Sequence, residues 1–584
     1  MSHKLYKRAK GLLAGEEGAV VKDFGGRITI ALSYPNTYYV GMSNLGYHKI
    51  YSLLNRKNDV LCERVFLPAG EEIDILEGSR TPLFSLESQT PVNRFDIVAF
   101  SVTFETDYLH ILKILELSRI PLKSGERTDK DPLIIVGGIC PSFNPEPLAS
   151  FIDVAIIGEG EEVVPEMIEV LRQVHPHEDR KEFIIRLSQI EGIYIPSAYH
   201  ISYTAAGEVA SVEPDDGFPK KIRKRWLKNI NKSPTTSQII THNTVFGDMY
   251  LIEIGRGCGR HCRFCAAGYI YRPPRNYDLD LLLREGKKGL IYRERIGLIS
   301  SAICDYPRID ELCEGLEKMG AKISVSSVRI DSVSERMIRY LVSSGSKLVS
   351  IAPEAGAADL RRAINKEMSE DGILNAIELI IGHGIPNLKL YFLIGLPGEK
   401  DEDIDEIINL TKKIKHIITK KGKEKKRLGI MTISINTFIP KPFTPYQWEG
   451  MEDIASLNRK IKYIKAGLRR MSNIKVIHTL PKLGFVQGLL SMGDRRVGEI
   501  LLAVHRMKGD WHRVFRELNL NPGFYVYRKK RFDEVLPWDH IDIGVKKEYL
   551  IEECIKARKG ITTSPCPGKG ACKRCGDFYC PDNH

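Results

Sequence analysis

Two long blocks of this 584-residue chain alternate short apolar segments with amphipathic helical ones. In the first block, helical patterns at 106–120 and 161–174 accompany the predicted strands, which are 27–35, 96–103, 132–138 and 153–160. In the second block, helical patterns such as 308–320 separate six predicted strands, which are 249–255, 296–300, 322–327, 347–352, 387–395 and 431–438. Because strands that alternate with helices form parallel sheets, both blocks predict α/β domains.

The alternation divides the chain into four predicted regions. Residues 1–200 are expected to form an open parallel-sheet domain of Rossmann-like type, and 201–248 a polar, basic linker. Residues 249–450 are expected to form a partial (β/α)6 barrel, whose function would lie at the C-terminal ends of its strands. Residues 451–584 have a mostly helical pattern and end in a tail rich in cysteine, glycine and proline.

Composition and charge exclude several classes of protein. Hydrophobic residues make up 43% and charged residues 27% of the chain, as in ordinary globular proteins. The chain lacks an apolar run of about eighteen residues, and its N-terminus lacks a signal peptide's apolar core, which predicts a cytoplasmic protein with no membrane partner. The net charge of +12 is concentrated in basic runs at 220–232 and 412–427, which are more often solvated surfaces than nucleic-acid contacts.

The twelve cysteines separate into two kinds by their spacing. In a cytosolic chain they are more naturally metal ligands or buried thiols than disulfides. Five are scattered singly and are expected to be small buried hydrophobic residues, namely Cys62, Cys140, Cys304, Cys313 and Cys554. The other seven form two clusters, at 258–265 and 566–580.

The first cysteine cluster lies in GRGCGRHCRFCAAG, residues 255–268, directly after the first predicted strand of the second block. Structural zinc sites take four ligands and usually use two CxxC pairs. An iron–sulfur cluster held by only three thiolates has one iron free for another ligand. If that ligand is S-adenosylmethionine, an electron from the cluster can break its sulfonium bond and release a 5′-deoxyadenosyl radical.

CGRHCRFC resembles the CxxxCxφC signature of radical S-adenosylmethionine (radical SAM) enzymes, with Phe264 as the aromatic residue before the last cysteine. Segments 352–366, 389–399 and 437–448 resemble motifs of those radical SAM enzymes that carry a cobalamin-binding-type N-terminal domain. Segments 34–55 and 143–162 resemble that N-terminal domain. The C-terminal segments resemble the tail of one subfamily of unassigned substrate.

The resemblance implies roles for individual residues. Cys258, Cys262 and Cys265 would ligate a 4Fe–4S cluster. The residues implied in S-adenosylmethionine binding are Phe264 beside the adenine, Arg329 at the methionine carboxylate, Glu354 at the ribose or methionine, and Gly395, Leu396 and Pro397 where backbone approaches the adenine. A guanidinium fork suits a carboxylate, but a structural ion pair at the barrel rim is an equal alternative for Arg329 and Glu354.

Cobalamin binding is less directly supported, because residues 34–46 lack the Asp-x-His-x-x-Gly signature of domains that replace the lower base of the cobalt. The nearest histidine, His48, is expected to be a surface or packing residue. Cobalamin without histidine ligation would bind at the carboxyl ends of the strands, at Ser101, Thr103, Gly137 and Gly138. Alternatively, the domain keeps the fold without the ligand.

The second cysteine cluster supplies four thiols within fifteen residues: Cys566, Cys572, Cys575 and Cys580. Such a set suits a second four-iron cluster or a tetrahedral zinc ion. The five, two and four intervening residues differ from the paired CxxC of a zinc ribbon and favour iron–sulfur. With four protein ligands, a cluster here would serve electron relay or structural support.

These observations favour an enzyme: an anaerobic radical SAM catalyst that contains a 4Fe–4S cluster and is either a cobalamin-dependent methyltransferase or a cobalamin-independent modifier of RNA or a peptide. The alternative from another class is a non-catalytic, metal-stabilised RNA- or ribosome-associated protein. The expected partners are an electron donor such as flavodoxin or ferredoxin and a substrate that is RNA, a peptide or a small molecule. The sequence identifies no general acid or base.

Overall fold

The computed structural model describes residues 2–174, 179–325, 328–424, 428–518, 520–566 and 574–575. Two of the tail cysteines, Cys572 and Cys580, therefore lie outside the described residues.

The N-terminal domain contains a six-stranded sheet in the order β2-β1-β3-β4-β5-β6. Its strands are β1 Ile28–Tyr34, β2 Val60–Phe66, β3 Ile97–Ser101, β4 Leu133–Gly137, β5 Val154–Ile156 and β6 Ile193–Tyr194. All neighbours are parallel except β5 and β6. The accompanying helices are α1 Ser2–Ala14, α2 Tyr38–Gly41, α3 Leu45–Asn55, α4 Gly70–Ser79, α5 Tyr108–Leu117, α6 Ile139–Phe143, α7 Gly160–Gln173 and α8 Arg180–Ser188. The predicted open parallel-sheet domain is thus confirmed.

Strand β2 is not among the predicted strands, because its segment VLCERVF contains two charged residues. Both Glu63 and Arg64 are fully buried. Arg64 donates to Glu87 at 2.6 Å and to Glu16 at 2.6 Å, so its charge is neutralised by carboxylates that come from distant parts of the chain. Because these charged residues interrupt the apolar run, a prediction based on apolar runs does not find the strand, although its ion pairs allow it to be buried.

The linker segment carries β-structure that ties the N- and C-terminal parts of the chain together. β7 Tyr199–Tyr203 and β8 Val209–Pro214 form an antiparallel hairpin. β9 Ile222–Arg223 pairs with β19 Ile541–Asp542 of the C-terminal region.

The second block forms parallel strands in two hydrogen-bonded groups, β10-β13-β14 and β15-β16-β17-β18. The strands are β10 Met249–Glu253, β13 Arg295–Ile299, β14 Lys322–Val325, β15 Leu348–Glu354, β16 Asn387–Ile394, β17 Met431–Thr437 and β18 Ile474–His478. The Val328 N–H donates to the Ser350 carbonyl at 3.1 Å and so connects the two groups. All six predicted strands are present, and β18 extends the sheet beyond residue 450.

The helices that follow these strands are α9 Ala267–Ile270, α10 Leu279–Gly289, α11 Ile309–Lys318, α12 Glu335–Ser343, α13 Ala358–Ala363, α14 Glu370–Gly382 and α15 Asp401–Glu424. The C-terminal region adds α16 Ile454–Leu468, α17 Pro481–Met492, α18 Val497–Arg506, α19 Trp511–Glu517, α20 Pro522–Val526 and α21 Lys547–Arg558. Within the described ranges, no helix combines the length and apolar character needed to cross a membrane.

Candidate functional site

The cysteine loop, residues 255–268, begins with a short strand, β11 Gly255–Arg256, which pairs with β12 Arg275–Asn276. Gly257 then turns the chain toward Cys258 with φ of +85°. A Cβ at Gly257 would lie 2.4 Å from the Tyr271 carbonyl oxygen, so only glycine fits this turn. The loop follows β10, at the carboxyl end of the first barrel strand, as predicted.

The three thiols of the cysteine loop are free, and Cys258 and Cys262 lie near enough to Cys265 to act on its charge. Cys262 is buried, and Cys258 and Cys265 are partly buried. Burial raises the pKa of Cys265 to about 12, and the neighbouring Cys262 and Cys258 contribute further. Three thiolates in such a loop repel one another unless a cationic centre binds them, so the donor set fits a metal cluster.

Among the described residues, no group of three or more histidine, cysteine, aspartate or glutamate side chains is arranged to hold a metal ion. A multi-iron cluster spaces its thiolate ligands around several metal atoms, and each iron takes a separate cysteine.

Arg263 anchors the middle of the cysteine loop to helix α21. Its guanidinium is fully buried and donates to Glu553 of α21 at 3.0 and 3.1 Å, both side chains being 0% exposed. It also donates to the carbonyls of Ala363 and Ile561, each at 2.7 Å. The sequence gives no sign of this pair, because the partners are separated by 290 positions.

Two residues implied in adenine binding meet in one small apolar cluster. Phe264 of the cysteine loop packs against a cluster that includes Leu396, which follows β16, and Ala355, which follows β15. Gly395 has φ of +77° and donates its N–H to Glu399 at 2.8 Å, which holds the turn that contains Leu396 and Pro397. Glu399 is not among the predicted site residues, although it ends the segment 389–399.

Arg329 and Glu354 both form ion pairs in the structure. Arg329 donates to Asp331 at 2.7 Å, and Glu354 accepts from Lys366 at 2.9 Å. Both residues therefore form structural ion pairs here, which is the alternative to S-adenosylmethionine binding that the sequence left open. Burial opposes the positive charge of Arg329, whereas Asp331 and Cys262 raise its pKa. The effect of Cys262 shows that the Arg329 guanidinium lies near the thiols of the cysteine loop.

A cavity of about 590 Å³ lies between the N-terminal sheet and the barrel. The four residues predicted for cobalamin, which are Ser101, Thr103, Gly137 and Gly138, all line it. Its opposite wall includes Gly255, Arg256 and Gly257 of the cysteine loop, so the cavity reaches the residue before Cys258. The cavity thus extends from the residues predicted for cobalamin to the start of the cysteine loop.

None of the described residues that line this cavity is a histidine. His48 is a packing residue, as expected. It is buried, its Nε2 faces the Met42 carbonyl at 3.1 Å, and its Nδ1 accepts from the Gln238 N–H at 3.2 Å.

A charged network joins the two walls of the cavity. Glu159, from the segment GEGEE, accepts from Arg256 at 2.9 Å and from Arg275 at 2.6 Å. Burial alone would raise the pKa of Glu159, but the two guanidinium groups lower it to about 2. Burial lowers the pKa of Lys49, which also lines the cavity, to about 8. The carboxylate of Glu159 therefore fixes the cysteine-loop strand against the N-terminal domain.

Comparisons with known proteins agree with this organisation. The family model for radical SAM proteins, N-terminal, matches residues 46–196, and the radical SAM superfamily model matches residues 252–411. An uncharacterised protein of Methanocaldococcus jannaschii is 32% identical over 81% of this chain and 90% of its own length. The 4′-phospho-dehydrooxetanocin synthase of Priestia megaterium is 27% identical over 51% of this chain and 40% of its own length.

One similar solved structure is that of the cobalamin-dependent S-adenosylmethionine radical enzyme OxsB with aqua-cobalamin and S-adenosylmethionine bound. It has a TM-score of 0.48 and 15% identity, over 91% of this chain and 79% of that chain. The two family models and the Methanocaldococcus relative identify the family: the chain belongs to the radical SAM superfamily.

Proposed function

We propose that the protein is an enzyme that binds a 4Fe–4S cluster at Cys258, Cys262 and Cys265 and cleaves S-adenosylmethionine reductively. The observation that carries the proposal is the set of three free thiols in one partly buried loop, whose first residues line a cavity of about 590 Å³. When bound, the cluster would supply the electron that breaks the sulfonium bond of S-adenosylmethionine, which would make hydrogen abstraction from the substrate possible.

The protein's own residues would position S-adenosylmethionine and exclude water. Phe264 and Leu396 offer an apolar surface for the adenine, and the turn at Gly395 lets backbone approach its edge. Arg329 has a guanidinium close to the thiols, where it can exchange Asp331 for the methionine carboxylate. Glu354 has φ of +68° at the end of β15, an unusual conformation for a residue with a side chain, and such positions cluster at binding sites.

We infer that the cavity takes cobalamin and that the enzyme is a methyltransferase. Support comes from the four predicted residues at the carboxyl ends of β3 and β4, where ligands bind in open parallel sheets. The same cavity extends to Gly257, beside Cys258, so the residues that would hold cobalamin and the start of the cysteine loop line one space. With no histidine among the described lining residues, the protein would bind cobalamin without histidine ligation.

The experiment that tests the function starts from protein purified and reconstituted without oxygen. With dithionite as reductant, we expect 5′-deoxyadenosine to form from S-adenosylmethionine, measured by liquid chromatography. Cobalt analysis of the same sample after incubation with hydroxocobalamin tests the methyltransferase assignment. Absence of 5′-deoxyadenosine in iron-replete protein would contradict the proposed function, while product without bound cobalt would restrict it to cobalamin-independent chemistry.

A larger side chain in the cavity should weaken cobalamin binding and leave the iron–sulfur cluster in place. Gly137 lines the cavity, and a Cβ there would meet only Ile156, at 3.8 Å, so a larger side chain is accommodated at the cost of cavity space. We expect Gly137→Leu to weaken cobalamin binding at least about tenfold, since overpacking costs about 1–3 kcal/mol. The measurement is cobalamin retained on gel filtration, by its visible absorption.

The matched control for Gly137→Leu is Gly125→Leu, an exposed glycine of the same domain where an added Cβ would have nothing within 4 Å. Iron content should be equal in both variants. Normal cobalamin retention by Gly137→Leu would exclude this cavity as the binding site.

A further inference from the structure

Helix α16, Ile454–Leu468, and the turn that follows it carry a run of exposed cations. Residues 454–493 contain eight lysines and arginines and no aspartate or glutamate. Five of these cations are exposed on α16 or directly after it, and we call this surface the basic strip; they are Arg459, Lys462, Lys465, Arg469 and Arg470. The basic strip is separate from the basic runs at 220–232 and 412–427.

The spacing of the basic strip places its charges on one side of the helix. Its first four members follow each other at intervals of three, three and four residues, and residues three and four apart are neighbours on a helix surface. At a rise of about 1.5 Å per residue, the strip extends for roughly 15 Å. The opposite side of α16 is buried and consists of Leu457, Ile461, Ile464 and Leu468.

The charges of the basic strip are not neutralised by the protein. Within the described part of the chain, the one cation of α16 that forms ion pairs is Lys460, which donates to Glu399 and Glu452 at 2.7 Å each and is not part of the strip. Other exposed cations on the outer helices of the barrel are paired, as Lys318 is with Glu314 at 2.7 Å. Like charges three and four residues apart destabilise a helix, so the strip has a cost in stability that an anionic partner would offset.

The basic strip leads from one end of the barrel strands toward the other. Near the N-terminal end of α16, the Leu457 side chain lies beside Gly395, in the turn after β16. After the C-terminal end of α16, the Asn473 carbonyl accepts from the N–H of Met431, the first residue of β17, at 3.0 Å. The last two arginines of the strip therefore lie toward the amino ends of the parallel strands, whereas the cysteine loop follows the carboxyl end of β10.

This placement favours a long polyanion over other anionic partners. An electron donor has to approach the cysteine loop, which lies at the opposite end of the strands from the last charges of the strip. Insertion into a membrane requires large apolar side chains, but the exposed residues among the cations, apart from Tyr463, are Ala466 and Gly467. A nucleic acid presents phosphates along its whole length and binds rows of cations by releasing its counterions.

Tyr463 favours RNA over duplex DNA as the partner. Its side chain is 54% exposed next to Lys462, and its hydroxyl donates to Asp405 of α15 at 2.7 Å, which holds the ring on the surface. Exposed aromatic rings beside cations stack on unpaired bases. The loops of a folded RNA present such bases, whereas duplex DNA keeps its bases paired and stacked.

We propose that the basic strip binds the phosphate backbone of a folded RNA, with Tyr463 stacking on an unpaired base. The contact consists of charge attraction and stacking and includes no covalent step. It requires neither the iron–sulfur cluster nor S-adenosylmethionine, so it goes beyond the proposed function and does not rest on it.

The test measures the affinity of the full-length, reconstituted protein for a labelled transfer RNA transcript, by fluorescence anisotropy at several salt concentrations. The strip variant replaces four of the cations by glutamine and is Lys462→Gln/Lys465→Gln/Arg469→Gln/Arg470→Gln. We expect its affinity at about 0.1 M salt to be at least about tenfold lower than that of the wild type. The slope of log affinity against log salt should decrease in magnitude by about three to four, close to one for each phosphate contact removed.

The matched control removes four exposed cations that are ion-paired on or beside α11 and α12, and is Arg308→Gln/Lys318→Gln/Arg336→Gln/Arg339→Gln. It should bind RNA as the wild type does. The strip variant should unfold at or above the wild-type temperature, because the substitutions remove repulsion between like charges, and this separates lost binding from misfolding.

Several outcomes would overturn the proposal. Equal affinity of the wild type and the strip variant would exclude the strip as the binding surface, and so would an equal loss in the control. Strip-dependent binding of phosphatidylglycerol vesicles or of polyglutamate, without binding of RNA, would show that the partner is a membrane or an acidic protein. Equal affinity for duplex DNA of the same length would remove the preference for RNA.

Tyr463 is tested separately. Tyr463→Ala should bind RNA at least about fivefold less tightly with an unchanged salt slope, since it removes stacking and no charge. Tyr463→Phe keeps the ring and should retain the affinity, although it loses the bond to Asp405. Equal affinities of the wild type and Tyr463→Ala would overturn the stacking assignment. Failure of the proposed function is distinguishable, because it would leave RNA binding unchanged and appear as no 5′-deoxyadenosine from iron-replete protein.

Discussion

Replacement of Cys262 by alanine is expected to abolish reductive cleavage of S-adenosylmethionine, with a loss of at least about a hundredfold, since loss of outer-shell contacts alone costs about 10–100-fold in metal affinity. Cys262 is the middle thiol of the three, and it is the buried one. Without it, only Cys258 and Cys265 remain on the loop, and two thiolates cannot hold the cluster in place with one iron open. The measurement is 5′-deoxyadenosine formed under dithionite, with iron determined on the same sample.

The matched control for Cys262→Ala is Cys313→Ala, which removes a buried thiol from α11, away from the cysteine loop. Both substitutions delete one buried sulfur, so their effects on thermal unfolding of the iron-free proteins should be similar. Only Cys262→Ala should lose iron and cleavage. Undiminished cleavage by Cys262→Ala would refute the three-thiol cluster and, with it, the enzymatic function assigned to the loop.

The sequence predicted those features that depend on neighbouring residues. Alternation of apolar and amphipathic segments located β10 and the five further predicted strands of the second block, β13 to β17, and cysteine spacing located the cysteine loop after β10. The same local patterns placed Gly137 and Gly138 at the end of β4, where the structure has a cavity. Residues that follow predicted parallel strands can be expected to lie together, because parallel strands bring their carboxyl ends to one edge of the sheet.

Features that depend on distant contacts remained hidden. β2 is buried despite two charges, because Arg64 finds carboxylates on other elements. β18 joins the barrel sheet from a region whose pattern is mainly helical, and its residues are exposed or half-buried, so they form no buried apolar run. The cavity needs both domains, and its charged wall depends on Glu159 meeting Arg256 across 97 positions. Such pairings depend on tertiary structure, which a single sequence does not show.

Glu553→Gln is expected to release the cluster from the cysteine loop at least about tenfold faster than in wild type. Arg263 lies between Cys262 and Cys265, and its only carboxylate contact among the described residues is Glu553. The substitution leaves a buried guanidinium without a counter-charge, which costs about 3–5 kcal/mol when one partner of a buried pair is removed. The loop can relieve this cost only by moving Arg263 toward water, and that movement displaces the thiols on either side. The measurement is iron release to a chelator under anaerobic conditions, followed by absorbance.

The neighbouring residue provides the control for Glu553→Gln. Glu552 is on the same helix but its side chain is 62% exposed, and its pair with Lys556 at 2.7 Å is a surface pair worth about 0–1 kcal/mol. Glu552→Gln should therefore release iron at the wild-type rate. The double variant Arg263→Met/Glu553→Leu removes both charges at similar volume and should recover most of the lost stability, because well-packed apolar side chains replace buried ion pairs at little cost. If Glu553→Gln instead released iron at the same rate as Glu552→Gln, the buried pair would have no part in holding the cluster. Helix α21 would then stabilise the fold without stabilising the cluster.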